Sequence, residues 1–200
     1  MSVLHIALSS LPTGQPSYGI YEQISIEPKY LLLYVESMIK CHNKYRYLHG
    51  SPKLRHDPKL TREAFKFADV LARTNIFKHD SLLSKFTGEN LCKIRIDTND
   101  VVHAIYKHLL NDSAKACHGW YCQSIHYDSE KEHKTRKQIL HFTQLIWKSS
   151  KKVGFGMSGI QRTNYIDILR RVTLSADLKI TFFREEVIII LRKYAEKRKV

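Results

Sequence analysis

The residues best suited to chemistry in this chain begin with His141. It heads the string His141-Phe142-Thr143-Gln144-Leu145-Ile146-Trp147, whose apolar members Phe142, Leu145 and Ile146 recur at helical spacing. A histidine at the head of such a helix can be pinned in one orientation and face a pocket. Glu89, between Gly88 and Asn90, reads as a positioned loop carboxylate, because glycine permits unusual backbone angles and asparagine can bond the local backbone. His42 and Arg46 are four residues apart and share one face of a predicted helix. Other chemistries lack their residues. No serine lies in a Gly-x-Ser-x-Gly elbow. The four cysteines, Cys41, Cys92, Cys117 and Cys122, form no CxxC pair, and the Cys117 to Cys122 spacing fits neither a zinc knuckle nor a redox motif. Cys122 reads as a small buried hydrophobe.

These residues need elements to hold them. Residues 1–29 carry Pro12, Gly14, Pro16, Gly19 and Pro28 without a sustained period and read as a loose leader. From Tyr30, Leu32, Val35, Ile39, His42, Tyr45 and Arg46 mark a first helix that stops at Gly50. Asp57-Pro58 reads as an N-cap with proline in the first helical position, and Leu60, Ala64, Phe67, Ala68 and Leu71 stripe a second helix ending near Asn75. Thr98 or Asn99 can cap a third, carrying Val102, Ile105, Tyr106 and Leu109. A charged stretch from Asp128 to Lys137 precedes the His141 helix, and the lysine-rich run after Trp147 hands over to a strand, Val153 to Met157. Further strands are predicted at Tyr165 to Val172, Ile180 to Phe183 and Val187 to Leu191, with a basic tail from Lys193. Helices first and strands later, without regular alternation, predict an α+β fold.

The chain has 200 residues, 43% hydrophobic and 26% charged, which is enough for one domain with a full core. Its formal charge of +14 favours association with anionic surfaces, although the cations are scattered and read first as a solvated face. Val3 to Leu8 has no basic residue ahead of it, Met1-Ser2 lacks the glycine required for myristoylation, and no apolar run approaches the roughly 18 residues of a membrane span. The expected location is therefore cytoplasmic, with any membrane contact peripheral, and extracellular should a different N-terminus precede this one.

Four separated motifs, His42-Asn43-Lys44-Tyr45-Arg46, Lys78-His79, Gly88-Glu89-Asn90-Leu91 and His141 to Trp147, resemble in residues and order the CAP superfamily of cysteine-rich secretory, antigen 5 and pathogenesis-related proteins. The style is that of the signal-less Golgi-associated plant pathogenesis-related branch and of helminth venom-allergen-like proteins, and the first of these implies residence at the periphery of the Golgi membrane as the other expected location. The resemblance spans about residues 30 to 160, and with it the chain divides into the leader 1–29, a CAP domain over 30–172 and a divergent segment over 173–200. It implies a three-layer α-β-α sandwich with a central antiparallel sheet and a large cleft. It also implies that the cleft holds two histidines, His79 and His141, as a metal pair, with Glu89 as the first acid beside them. The second acid belongs in a Trp-Tyr-x-Glu string; here Trp120-Tyr121-Cys122-Gln123 puts Gln123 there. A Pro-x-Gly-Asn turn, also part of the pattern, is missing after residue 160. In this family the His42 motif packs and hydrogen-bonds, and Trp120, Tyr121 and Trp147 are expected in the core.

The resemblance implies weak zinc binding at most, because stable zinc sites carry three or four protein ligands and Gln123 adds no charge. Glu89 is expected to orient an imidazole or a bound water. The leading functional expectation is a non-enzymatic CAP-domain protein that binds lipid, sterol, an anionic membrane surface or a protein partner, including a second copy, through its cleft and basic surface. The alternative is a zinc-dependent hydrolase or protease using His79, His141 and Glu89. Nucleic acid is disfavoured, since no recognition helix, zinc finger or aromatic RNA-binding string is present.

Overall fold

The computed structural model describes residues 8–9, 22–24, 28–84, 86–97, 113–127, 138–162 and 165–176. The spine is a hairpin of two long strands, β5 (Ser150–Arg162) and β6 (Tyr165–Ala176), running antiparallel from Arg162↔Tyr165 outward. On the far side of β6 lies β4 (Thr87–Ile96), antiparallel in turn, with Glu89 opposite Thr173 and Leu91 opposite Arg171. On the far side of β5 come two short antiparallel pieces, β2 (Glu22–Ile24) and then β1 (Leu8–Ser9), both within the 1–29 stretch. One two-residue strand, β3 (Arg55–His56), runs parallel to β5, so the sheet is mixed rather than wholly antiparallel.

Strand alternation divides the side chains between two helical layers. Val153, Phe155 and Met157 of β5, with Ile168, Val172 and Leu174 of β6, bury against α1 (Pro28–Leu48), α3 (Lys115–Cys122) and α4 (Leu140–Ile146). Among the described residues, the other face receives α2 (Pro58–Thr74). Gly154 and Gly156 explain how closely α2 lies: a Cβ on either would collide with the α2 backbone at Leu60 or Ala64. Deleting those side chains lets the helix rest on the sheet, where Ala64, Ala68, Leu71 and Ala72 are buried. Three layers result, helix, sheet and helices, as the family resemblance implied.

Helix α2 forms where its residue pattern directs. Asp57 stays extended and its Oδ1 accepts from the N–H groups of Lys59 (2.8 Å) and Leu60 (3.2 Å), satisfying donors that a helix start leaves unpaired. The helix ends at Asn75, whose φ of 55° is left-handed. Two expectations need correction. Gly88 to Leu91, read as a loop, are the start of β4, and Gly88 does not take a positive φ. Its value is space, since a Cβ there would strike the Gln144 side chain. Trp120 and Tyr121, for which no element was predicted, lie in α3. The third helix predicted after Asn99, the charged stretch 128–137, the strands predicted beyond residue 179, the basic tail and any turn after Ala176 lie outside the described residues.

Candidate functional site

Edge strand β4, last in the sheet order among the described residues, separates two polar corners. Glu89 and Leu91 point toward the α2 layer, where Leu91 joins Leu71, Ala72 and Ile160. Gly88 and Asn90 point the other way, toward α4.

The first corner is ionic. Glu89, its side chain 2% exposed, accepts at Oε1 from His79 Nδ1 (2.7 Å) and from the Asp80 N–H (3.1 Å). Its Oε2 is 2.5 Å from Arg171 Nε, an ion pair whose N–H is not aligned on the oxygen. Arg171 also donates through Nη2 to Asp80 Oδ2 (2.8 Å) and through Nη1 to the Glu63 carbonyl (3.3 Å), with its guanidinium 4.2 Å from the centre of the Phe67 ring. Burying this carboxylate is tolerable because a buried cation, a histidine and a backbone N–H meet it, while Asp80 pairs with the far edge of the same guanidinium. His79 is 66% exposed. Because its Nδ1–H points at Glu89, the neutral ring presents the Nε2 lone pair outward.

The second corner is neutral. Gln123, first residue of a 3-10 turn following α3, lies against the start of α4. Its Oε1 accepts from the N–H groups of His141 (3.1 Å) and Phe142 (3.4 Å), and its Nε2 is 2.8 Å from His141 Nδ1. No side chain at the N-cap residue Ile139 bonds this helix, so Gln123 supplies the cap from elsewhere in the chain. The His141 ring stacks on Trp120 at 6.1 Å and 29° between planes, and Asn90 Nδ2 donates to the His141 carbonyl (3.0 Å). Burial, aided by the charge available on nearby His79, holds His141 below the ordinary imidazole pKa.

Beneath both corners the His42 motif is structural. Arg46, fully buried, donates to the carbonyls of Pro52, Leu145, Trp147 and Ser150 at 2.8–3.0 Å, while Ser51 Oγ donates to the Ile146 carbonyl (2.6 Å). Those carbonyls include the ones that the end of α4 leaves unpaired. Burial lowers the Arg46 pKa to about 10. Asn43 pairs in both directions with the Leu54 backbone. His42 Nδ1–H donates to the Met38 carbonyl (2.8 Å), and burial brings its pKa down to about 4. Trp120 and Trp147 are buried, Tyr121 stacks on Tyr45 at 3.7 Å, and Cys122 is exposed rather than buried as expected.

Each of the four residues singled out in the sequence thus has a definite place. His79 and Glu89 are bonded to each other, as are His141 and Gln123, and the two pairs are near enough for His79 to act on His141 electrostatically. Arg171 and Asp80 escaped the sequence reading. The available signal was Arg170-Arg171 within the apolar run Ile166 to Val172, where adjacent cations must point to opposite layers. Arg170 does so, reaching the Ser113 carbonyl (3.0 Å) and lying 5.8 Å from the Tyr34 ring centre. Next to the ionic corner, on the α2 face, is a cavity of about 490 Å³ lined by Phe67, Val70, Leu82 and Leu83 with Asp80 and Arg171 among its polar groups.

Zinc asks for several unprotonated donors converging on one point. His79 offers one at Nε2. At Gln123, however, an amide N–H faces the His141 ring where a carboxylate would accept from it, and among the described residues no group of three or more His, Cys, Asp or Glu side chains is placed to hold a metal ion. The donor set therefore fits zinc poorly.

Comparison with known proteins identifies the fold. The model of the cysteine-rich secretory protein family, CAP, matches residues 39–175. The human Golgi-associated plant pathogenesis-related protein 1 is 28% identical over 152 residues, covering 76% of this chain and 90% of its own. Among solved structures, BmVAL-1 superposes with a TM-score of 0.53 at 15% identity, over 76% of this chain and 78% of its own. The protein MpPR-1i, from a crystal soaked with selenourea, gives 0.52 at 13% identity, over 79% and 99%. These structures share the fold, and with the family match over more than half its length, this chain belongs to the CAP family.

Proposed function

We propose that this CAP domain is a non-enzymatic binding protein that docks on an anionic membrane surface and engages lipid or sterol through its cleft and adjoining cavity. The observation that carries this reading is the segment between α2 and β4. Ile76 is 53% exposed, Phe77 50%, Leu82 92% and Phe86 38%, all on the stretch that bears Lys78 and His79. Apolar side chains displayed around cations can enter the headgroup region while the cations meet anionic lipid, each worth about 1 kcal/mol near the surface. The chain's charge of +14 works in the same direction. No described helix is long and apolar enough to cross a membrane, and peripheral attachment agrees with the name of the Golgi-associated human relative. A protein partner or a second copy would compete for the same apolar segment.

The reading as a zinc-dependent hydrolase has no comparable support. Glu89 is committed to Arg171 and His79, and Gln123 cannot take a proton.

Co-sedimentation with vesicles tests the proposal. Binding is expected to phosphatidylcholine vesicles containing phosphatidylserine, to fall with added salt, and to drop about tenfold, or 1.4 kcal/mol, in Leu82→Asp. Equal, salt-insensitive binding to neutral and anionic vesicles would overturn it.

A further inference from the structure

We infer that Gln123 fixes the His141 imidazole in the tautomer with its proton on Nε2, making this corner of the cleft a hydrogen-bond donor toward oxygen rather than a metal ligand. The orientation of the amide is not arbitrary. Its Oε1 lies 3.1 Å from the His141 N–H and 3.4 Å from the Phe142 N–H, and an amide turned over would set two N–H donors against its own NH2 group. With Oε1 so fixed, Nε2 is the group that faces His141 Nδ1 at 2.8 Å. An amide nitrogen only donates, so Nδ1 must accept, and the single proton of the neutral ring stays on Nε2. Asn90, holding the His141 carbonyl, and Trp120, stacked on the ring, keep it from turning away.

A metal approaching His141 at Nε2 would have to displace that proton to Nδ1, where it would meet the N–H of Gln123. The supporting group thus opposes the ligating state, whereas supports of ligating histidines ordinarily accept from the remote nitrogen and strengthen binding. His79 shows the favourable arrangement, its Nδ1–H on Glu89 Oε1. Gln123 is accordingly a positioning residue that selects what His141 offers: a donor to a ligand's carbonyl or hydroxyl oxygen. This inference is independent of membrane docking.

Two measurements decide it. Long-range proton–nitrogen correlation spectra of the histidine rings in the wild-type protein should show His141 protonated on Nε2 and bare on Nδ1. Zinc titration against a chromophoric chelator should show Gln123→Glu, whose carboxylate accepts from Nδ1–H, binding zinc at least ~10-fold more tightly than wild type. A wild-type ring protonated on Nδ1 would overturn the inference even if the variant failed to fold. So would a folded Gln123→Glu protein with unchanged or weaker zinc affinity.

Discussion

Beside β4, His79 Nδ1 donates to a buried carboxylate, whereas His141 Nδ1 faces the N–H of an amide. The rings are the same and their supports are opposite. Glu89 is an acceptor made tenable by Arg171, a cation drawn from the neighbouring strand β6. Gln123 is a neutral group whose oxygen is occupied in starting helix α4. The first corner is held by charge and is costly to disturb, because its ions are out of water. The second is held by ordinary hydrogen bonds, each contributing modestly. Exposure runs the other way: the ionic corner displays its histidine, and the neutral corner keeps its own half-covered.

The sharpest way to break this comparison is to remove the cation. Arg171→Met leaves Glu89 buried without its main partner and should cost about 3–5 kcal/mol, read as a shift in the urea unfolding midpoint. A loss below about 1 kcal/mol would mean that the corner is open to water and its charges screened.

Next in size is a pH effect that separates both corners from the layer beneath them. His42 and His49 have pKa values near 4 in the folded protein, lowered by burial, against about 6.5 when unfolded. The unfolded chain therefore binds more protons between these values, so stability should be full above about pH 6.5 and decline as pH falls toward 4. His42, fully buried, should account for about 3 kcal/mol of that decline. Denaturant unfolding at pH 7 and pH 4.5 measures it, and His42→Asn should flatten the slope.

At the neutral corner Gln123→Ala should cost about 1–2 kcal/mol, the range of a lost helix cap. The smallest effect is expected for His79→Ala, under about 0.5 kcal/mol, because its pairing with Glu89 is made by a largely exposed ring. Should His79→Ala prove costlier than Gln123→Ala, the assignment of stability to Arg171 and of display to His79 would be reversed.

Much of the frame was legible in the sequence. Asp57-Pro58 announced the start of α2, because a capping carboxylate followed by proline has one common use. The spacing of Phe142, Leu145 and Ile146 announced α4, and all three are fully buried. What failed did so for physical reasons. Gly88 was taken as a residue of unusual backbone angle, but glycine also serves where a neighbouring side chain leaves no room for a Cβ, and Gln144 takes that room here. Cys122 was placed inside by its residue type, whereas its position at the end of α3 puts it in solvent.

The sequence by itself determined helices α1, α2 and α4 and the strand character of β5 and β6, the CAP family through its ordered motifs, and the residue types those motifs carry, with the amide of Gln123 beside them. Local pattern carries these, because caps, apolar stripes and motif spacing act over a few residues. Only the tertiary structure decided how those residues are used. Glu89 meets Arg171, distant by more than eighty positions in the chain, because β4 pairs with β6 and the alternation of both strands turns the two side chains to the same face. Gln123 meets His141 because the turn after α3 brings its amide against the open end of α4. Whether a histidine donates or ligates depends on which atom faces its other nitrogen, and that is a contact between distant parts of the chain.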